Sequence, residues 1–76
     1  MRNKKTSYEE ELEVTAEFIF EQLRDGTSPE TIYTIYLSAK KEGELPNLSD
    51  VDYHKCYESA SADYAMYQEE LKELYA

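Results

Sequence analysis

The chain has 76 residues and a formal net charge of −9, with seventeen Asp/Glu against eight Lys/Arg. That length holds one small domain, whose core is worth roughly 3–5 kcal/mol before any staple is added. The single cysteine, Cys56, excludes an intramolecular disulfide, and the acidic balance argues against direct nucleic-acid binding, since affinity for phosphates comes from Lys and Arg releasing counterions.

The charge is unevenly placed. Arg2, Lys4 and Lys5 make a basic tip, leaving five Lys/Arg against seventeen acids from Thr6 onward. Residues 1–6 therefore read as a basic flexible arm ahead of one helical domain over 7–76. Acids follow the basic start where a signal peptide would carry its apolar segment, and no run approaches a membrane span, so a cytoplasmic protein with no membrane role is expected.

Ser7 and Glu10 form the Ser-x-x-Glu pattern of a capping box, and Leu12, Ala16, Ile19, Phe20 and Leu23 recur at helical spacing, which predicts a helix over 8–25. Gly26 suits a left-handed stop. "TSPE" restarts the chain with Ser28 as N-cap and Pro29 in the first turn, and a second helix is predicted over 29–42. Its apolar face is Ile32, Ile35, Tyr36 and Ala39, widened by Tyr33 and Leu37, with Lys40 and Lys41 placed favourably against the negative end of the helix dipole.

Gly43 ends that helix, and "GELPNLSD" offers Ser49 and Asp50 as caps for a third, predicted over 50–75. There Tyr53, Tyr57, Ala60, Tyr64, Tyr67, Leu71 and Leu74 alternate steps of four and three, the spacing of a narrow helical seam. At about 1.5 Å per residue this helix spans roughly 39 Å, more than its neighbours, so it overhangs them or kinks at "ESASA". The fold class is all-α: a small three-helix bundle with a long C-terminal helix.

The tyrosines of the seam have two readings. Tyr57, Tyr64 and Tyr67 fit a core in which each ring is buried and each hydroxyl reaches water or a carbonyl. The overhanging end, with Tyr53 or with Tyr75 just off the seam, would instead form an exposed aromatic patch suited to an interface. Val14 and Phe18, four apart on the far side of the first helix, are either part of a protein-binding face or covered by a neighbouring helix.

Catalytic signals are missing. His54 and Cys56 are two apart, so on a helix they point to different sides. Asp50, His54 and Glu58 share a face at steps of four, where a metal ligand set and ordinary charge pairing are both open; charge pairing is the reading adopted, and neither a metal nor another cofactor is expected. There is no glycine-rich phosphate loop, paired cysteine motif or nucleophile elbow, and an enzyme is not expected. The turn from Gly26 to Ser28 suggests a helix-turn-helix, but the second helix lacks the basic side chains that would hold it to phosphates.

The most informative feature is acidic. Glu9, Glu13, Glu17, Glu21 and Asp25 recur at every fourth residue of the first helix. Like charges at that spacing cost roughly 0.2–0.5 kcal/mol per pair, so the column opposes folding by about 1–2 kcal/mol. The helix dipole favours acids in the first turn, Glu9 to Glu11, but not Glu17, Glu21 or Asp25, and Arg24 is the only basic residue in the helix to offset them. A row of carboxylates advancing about 6 Å per step presents closely spaced negative charge to a groove built for a phosphate backbone. Glu69, Glu70 and Glu73 form a second acidic group on the third helix.

By size, acidity, helicity and tyrosine content over residues 7–76, the chain resembles the small phage-encoded inhibitors of nucleic-acid-handling defence enzymes, among them anti-CRISPR and anti-restriction DNA mimics. The resemblance implies stoichiometric blocking of a basic DNA- or RNA-binding channel in the cytoplasm of a bacterial host. The expected function is thus a non-enzymatic acidic inhibitor whose partner is a basic, nucleic-acid-binding protein. Glu9, Glu13, Glu17, Glu21, Asp25, Glu69, Glu70 and Glu73 would face cations, with Val14 and Phe18 adding desolvated contact. The alternative is a homo- or hetero-oligomeric helical adaptor or regulatory subunit, a homodimer included, joined through the tyrosine seam and Val14/Phe18.

Overall fold

A computed structural model describes residues 7–75, so the proposed arm over residues 1–6 lies outside the described residues. Three helices make up the fold: α1 (Tyr8–Arg24), α2 (Pro29–Lys41) and α3 (Asp50–Tyr75). All three caps follow from local chemistry. Ser7 and Glu10 complete the capping box of α1, with each side chain bonded to the other's backbone N–H at 3.1 Å. Ser28 accepts from Thr31 N at the head of α2, and Ser49 and Asp52 bond reciprocally at the head of α3.

The first two helices each end one residue earlier than predicted, with Asp25 and Glu42 as C-caps. In both cases the next residue is a glycine at positive φ, Gly26 at 87° and Gly43 at 83°. The turn residues then donate back to carbonyls of the last helical turn, Gly26 to Leu23 and Thr27 to Gln22, Gly43 to Lys40 and Glu44 to Ala39, which closes both helix ends.

α1 and α3 run parallel in a fixed register. Tyr8 Oη donates to Asp52 Oδ1 at 2.5 Å, Cys56 Sγ donates to the Leu12 carbonyl at 3.5 Å, and Phe20 meets Tyr64 edge-on at 6.1 Å, each pair separated by 44 positions. The same offset sets Ala16 level with Ala60, and these small side chains let the backbones approach. α3 is one continuous helix that runs unbroken through "ESASA", so by the register of 44 it overhangs α1 beyond about Gln68.

α2 is held differently. It stands off from α3, and the space between them is filled by rings: Tyr36 stacks on Tyr53 at 4.4 Å, and Tyr33 lies 5.9 Å from Tyr36 and 5.3 Å from Tyr53. Tyr53 is therefore core, only 3 % exposed, which corrects its assignment to an exposed patch. Its ring packs on Tyr33 and Tyr36 of α2, far from the overhang. Tyr57, Tyr64 and Tyr67 are half-buried, whereas Leu74 and Tyr75 at the overhanging end are exposed.

The segment between α2 and α3 is locked from both sides. Leu48 is buried beside Ile19, Ile32 and Tyr36. Lys40 donates to the carbonyls of Leu45 and Leu48, and Tyr36 Oη donates to the Ser49 carbonyl at 3.2 Å. From α1, the Glu11 carboxylate accepts from Asn47 N at 2.9 Å and Asn47 Nδ2 at 2.8 Å. Glu11 is thus 1 % exposed and structural, not a solvated first-turn acid. Ile35 and Leu37, assigned to the buried face of α2, are exposed; Ile32 and Tyr36 alone of that face are fully buried, because α2 diverges from α1.

Candidate protein-docking grooves on α1

Two grooves flank Val14, and they differ in chemistry. The wider, about 770 Å³, lies between α1 and α3. Glu13 and Glu17 on one side face Asp63 and Glu70 on the other, over a floor that includes Ala16, Phe20 and Tyr67, with the exposed Met66 beside it. Phe20 makes edge contacts with Tyr64 and with Tyr67, the latter at 5.6 Å, so the floor is an aromatic cluster. Among the described residues no lysine or arginine pairs with any of these four carboxylates.

The narrower groove, about 380 Å³, lies between α1 and α2 and is almost wholly apolar. Val14 and Phe18 on α1 face Ile35 and Ala39 on α2, Leu45 closes one end, and Glu10 and Glu44 stand at the rim. Thr15 lies in its floor, 3 % exposed, with its hydroxyl lacking a hydrogen-bond partner. Phe18 is half-buried against the core and Val14 is 57 % exposed. Of the two readings for this pair, α2 covers Phe18 in part and leaves Val14 open.

The acidic column is exposed throughout, but it is not a single face. With 3.6 residues per turn, each step of four drifts by about 40°, so Glu9 and Asp25 stand about 160° apart around α1. Glu13 and Glu17 line the α1–α3 groove; Glu9, Glu21 and Asp25 do not. Of the second acidic group only Glu70 reaches the groove, while Glu69 and Glu73 are exposed on the overhang. Asp63 and Met66 escaped sequence reasoning, because they join Glu13 and Glu17 only through the register of 44. The step of seven from Asp63 to Glu70, with Tyr67 between, was the available signal.

The remaining candidates are dispersed. Asp50 accepts from Tyr33 Oη at 3.4 Å, His54 stands edge-on to Tyr53, and no cluster suited to a metal ion occurs among the described residues. His54 is exposed and Cys56 is buried, and burial pushes the Cys56 thiol above its ordinary range. No helix among the described residues is long and apolar enough to cross a membrane. Comparison with protein-family models, curated proteins and solved structures finds no match.

Proposed function

We propose that this protein is a non-enzymatic inhibitor that occupies a basic nucleic-acid-binding groove on another protein, in the manner of the phage anti-defence inhibitors it resembles. One observation carries the reading: Glu13 and Glu17 on α1 and Asp63 and Glu70 on α3 converge along a groove with an apolar floor and no internal cation pairing among the described residues. Two parallel helices thereby offer two rows of anions, and like charges kept together at the expense of stability suit a partner's Lys and Arg. The rings of Phe20 and Tyr67 add the desolvated contact that charge alone lacks.

The test is capture of nucleic-acid-binding proteins from host extract on the immobilised chain. Wild type is expected to retain them at low salt and release them to duplex DNA, and E13Q/E17Q/E70Q to lose them while remaining folded. Equal capture by that variant sinks the reading.

A second reading, a helical adaptor, is favoured by the apolar α1–α2 groove. Sedimentation at low and high ionic strength separates the two: a salt-resistant dimer supports the adaptor, a monomer the inhibitor.

A further inference from the structure

The α1–α2 groove differs from its neighbour in being lined by carbon. Val14 and Phe18 are one turn apart on one wall, Ile35 and Ala39 one turn apart on the other, and Leu45 stops the lower end. Paired positions at i and i+4 on two splayed helices make the kind of trough that receives the apolar stripe of a third helix. Val14 and Ile35 are 57 % and 40 % exposed, although each belongs to an apolar wall.

The charged rim narrows the occupant. At the rim stand Glu10 and the exposed Glu44. A second copy of this chain, at a net charge of −9, would bring the same carboxylates against one another, whereas a segment flanked by Lys or Arg would neutralise them.

We propose that the α1–α2 groove seats an amphipathic helix of the basic partner, its apolar residues on Val14, Phe18, Ile35 and Leu45 and its cations against Glu10 and Glu44. The proposal rests on the reading that the partner is a basic protein. It adds a second, apolar anchoring point across the Val14 ridge from the acidic groove. The acidic groove sets the electrostatic match, and the α1–α2 groove holds the complex once it has formed.

The test uses two synthetic helical peptides of about 14 residues, long enough for three to four turns. Both carry Leu at alternating steps of three and four; the remaining positions are Lys-rich in one and Glu-rich in the other. Each is titrated into the full-length, isotope-labelled chain by NMR. The Lys peptide is expected to shift the amides of Val14, Phe18, Ile35 and Leu45, and the Glu peptide to bind about tenfold more weakly or worse. I35K and, on the exposed turn, E44K should each weaken the Lys peptide about tenfold, and E13Q/E17Q/E70Q should leave its affinity within about twofold. Peptide shifts confined to the Glu13, Glu17, Asp63 and Glu70 face overturn this assignment and leave the acidic groove standing. Absence of any shift, equal binding of the two peptides, or concentration-dependent shifts of the free chain at these residues overturns it as well. Failure of duplex DNA to displace captured proteins strikes the inhibitor reading alone.

Discussion

Glu11 of α1 holds Asn47 of the α2–α3 connection by both carboxylate oxygens, at 2.9 Å to the backbone N–H and 2.8 Å to the side-chain amide. Glu11 is 1 % exposed, and these hydrogen bonds hold from α1 a segment that Lys40 and Tyr36 hold from α2. This acid serves the fold at long range, as Glu10 beside it serves the fold locally through the capping box.

Glu11→Ala should therefore cost about 2–4 kcal/mol, since two charge-assisted bonds to Asn47 are lost. Glu11→Gln should recover only part of that, because its amide nitrogen would face a donor. Urea denaturation of both variants checks the order, with Glu11→Ala the less stable.

Neutralising the exposed column should do the opposite. Glu13→Gln, Glu17→Gln and Glu21→Gln together remove like-charge neighbours, so stability should stay level or rise by up to about 2 kcal/mol. A clear loss of melting temperature would show that these carboxylates have intramolecular roles.

Tyr53 carries a buried hydroxyl with no partner. Tyr53→Phe keeps the stack on Tyr36 and discards the orphan, so it should stabilise the fold by about 1 kcal/mol. Tyr53→Ala should instead cost about 3–5 kcal/mol, because the ring fills the space between α2 and α3. Thermal denaturation of the pair checks both.

Burial first, then the neighbouring tyrosines, pushes the Tyr53 phenol from 10.0 up to about 12. Tyr8, Tyr33 and Tyr36 are raised too, Tyr8 chiefly by its hydrogen bond to Asp52, the other two chiefly by burial. A folded-state value above the unfolded one means full stability below pH 10 and loss as pH rises toward 12, because the unfolded chain ionises first. Denaturant midpoints across that window should fall with pH, and less steeply in Tyr53→Phe. A flat profile in wild type would contradict the buried tyrosine stack.

Ala60 is 1 % exposed where α3 meets α1. Ala60→Leu should cost about 1–3 kcal/mol by forcing the helices apart, and the change should widen the acidic groove. Circular dichroism on heating checks the stability.

The helices were legible because their signals are local. Ser7 with Glu10, Ser28 with Pro29, Gly26 and Gly43 each act within a few residues, and only the C-terminal bounds of α1 and α2 shifted by one. Nonlocal relationships were not legible. Glu11 and Glu10 look alike in a sequence, and only the approach of Asn47, thirty-six positions away, separates a buried clamp from a cap. Tyr53 belongs to the seam by spacing, but the two α2 rings that pack on it, Tyr33 and Tyr36, meet it only because α2 stands off from α3. The acidic groove is half visible: Glu13, Glu17 and Glu70 stand out by charge and spacing, and Asp63 joins them through the parallel register.

Mutual exclusion tests the central claim most directly. With a partner captured by the immobilised chain and then purified, sedimentation of partner, this protein and duplex DNA together should give two binary complexes that exchange as the DNA concentration rises, and no ternary species. A ternary complex of unreduced affinity would place the acidic groove away from the partner's nucleic-acid site and contradict the account.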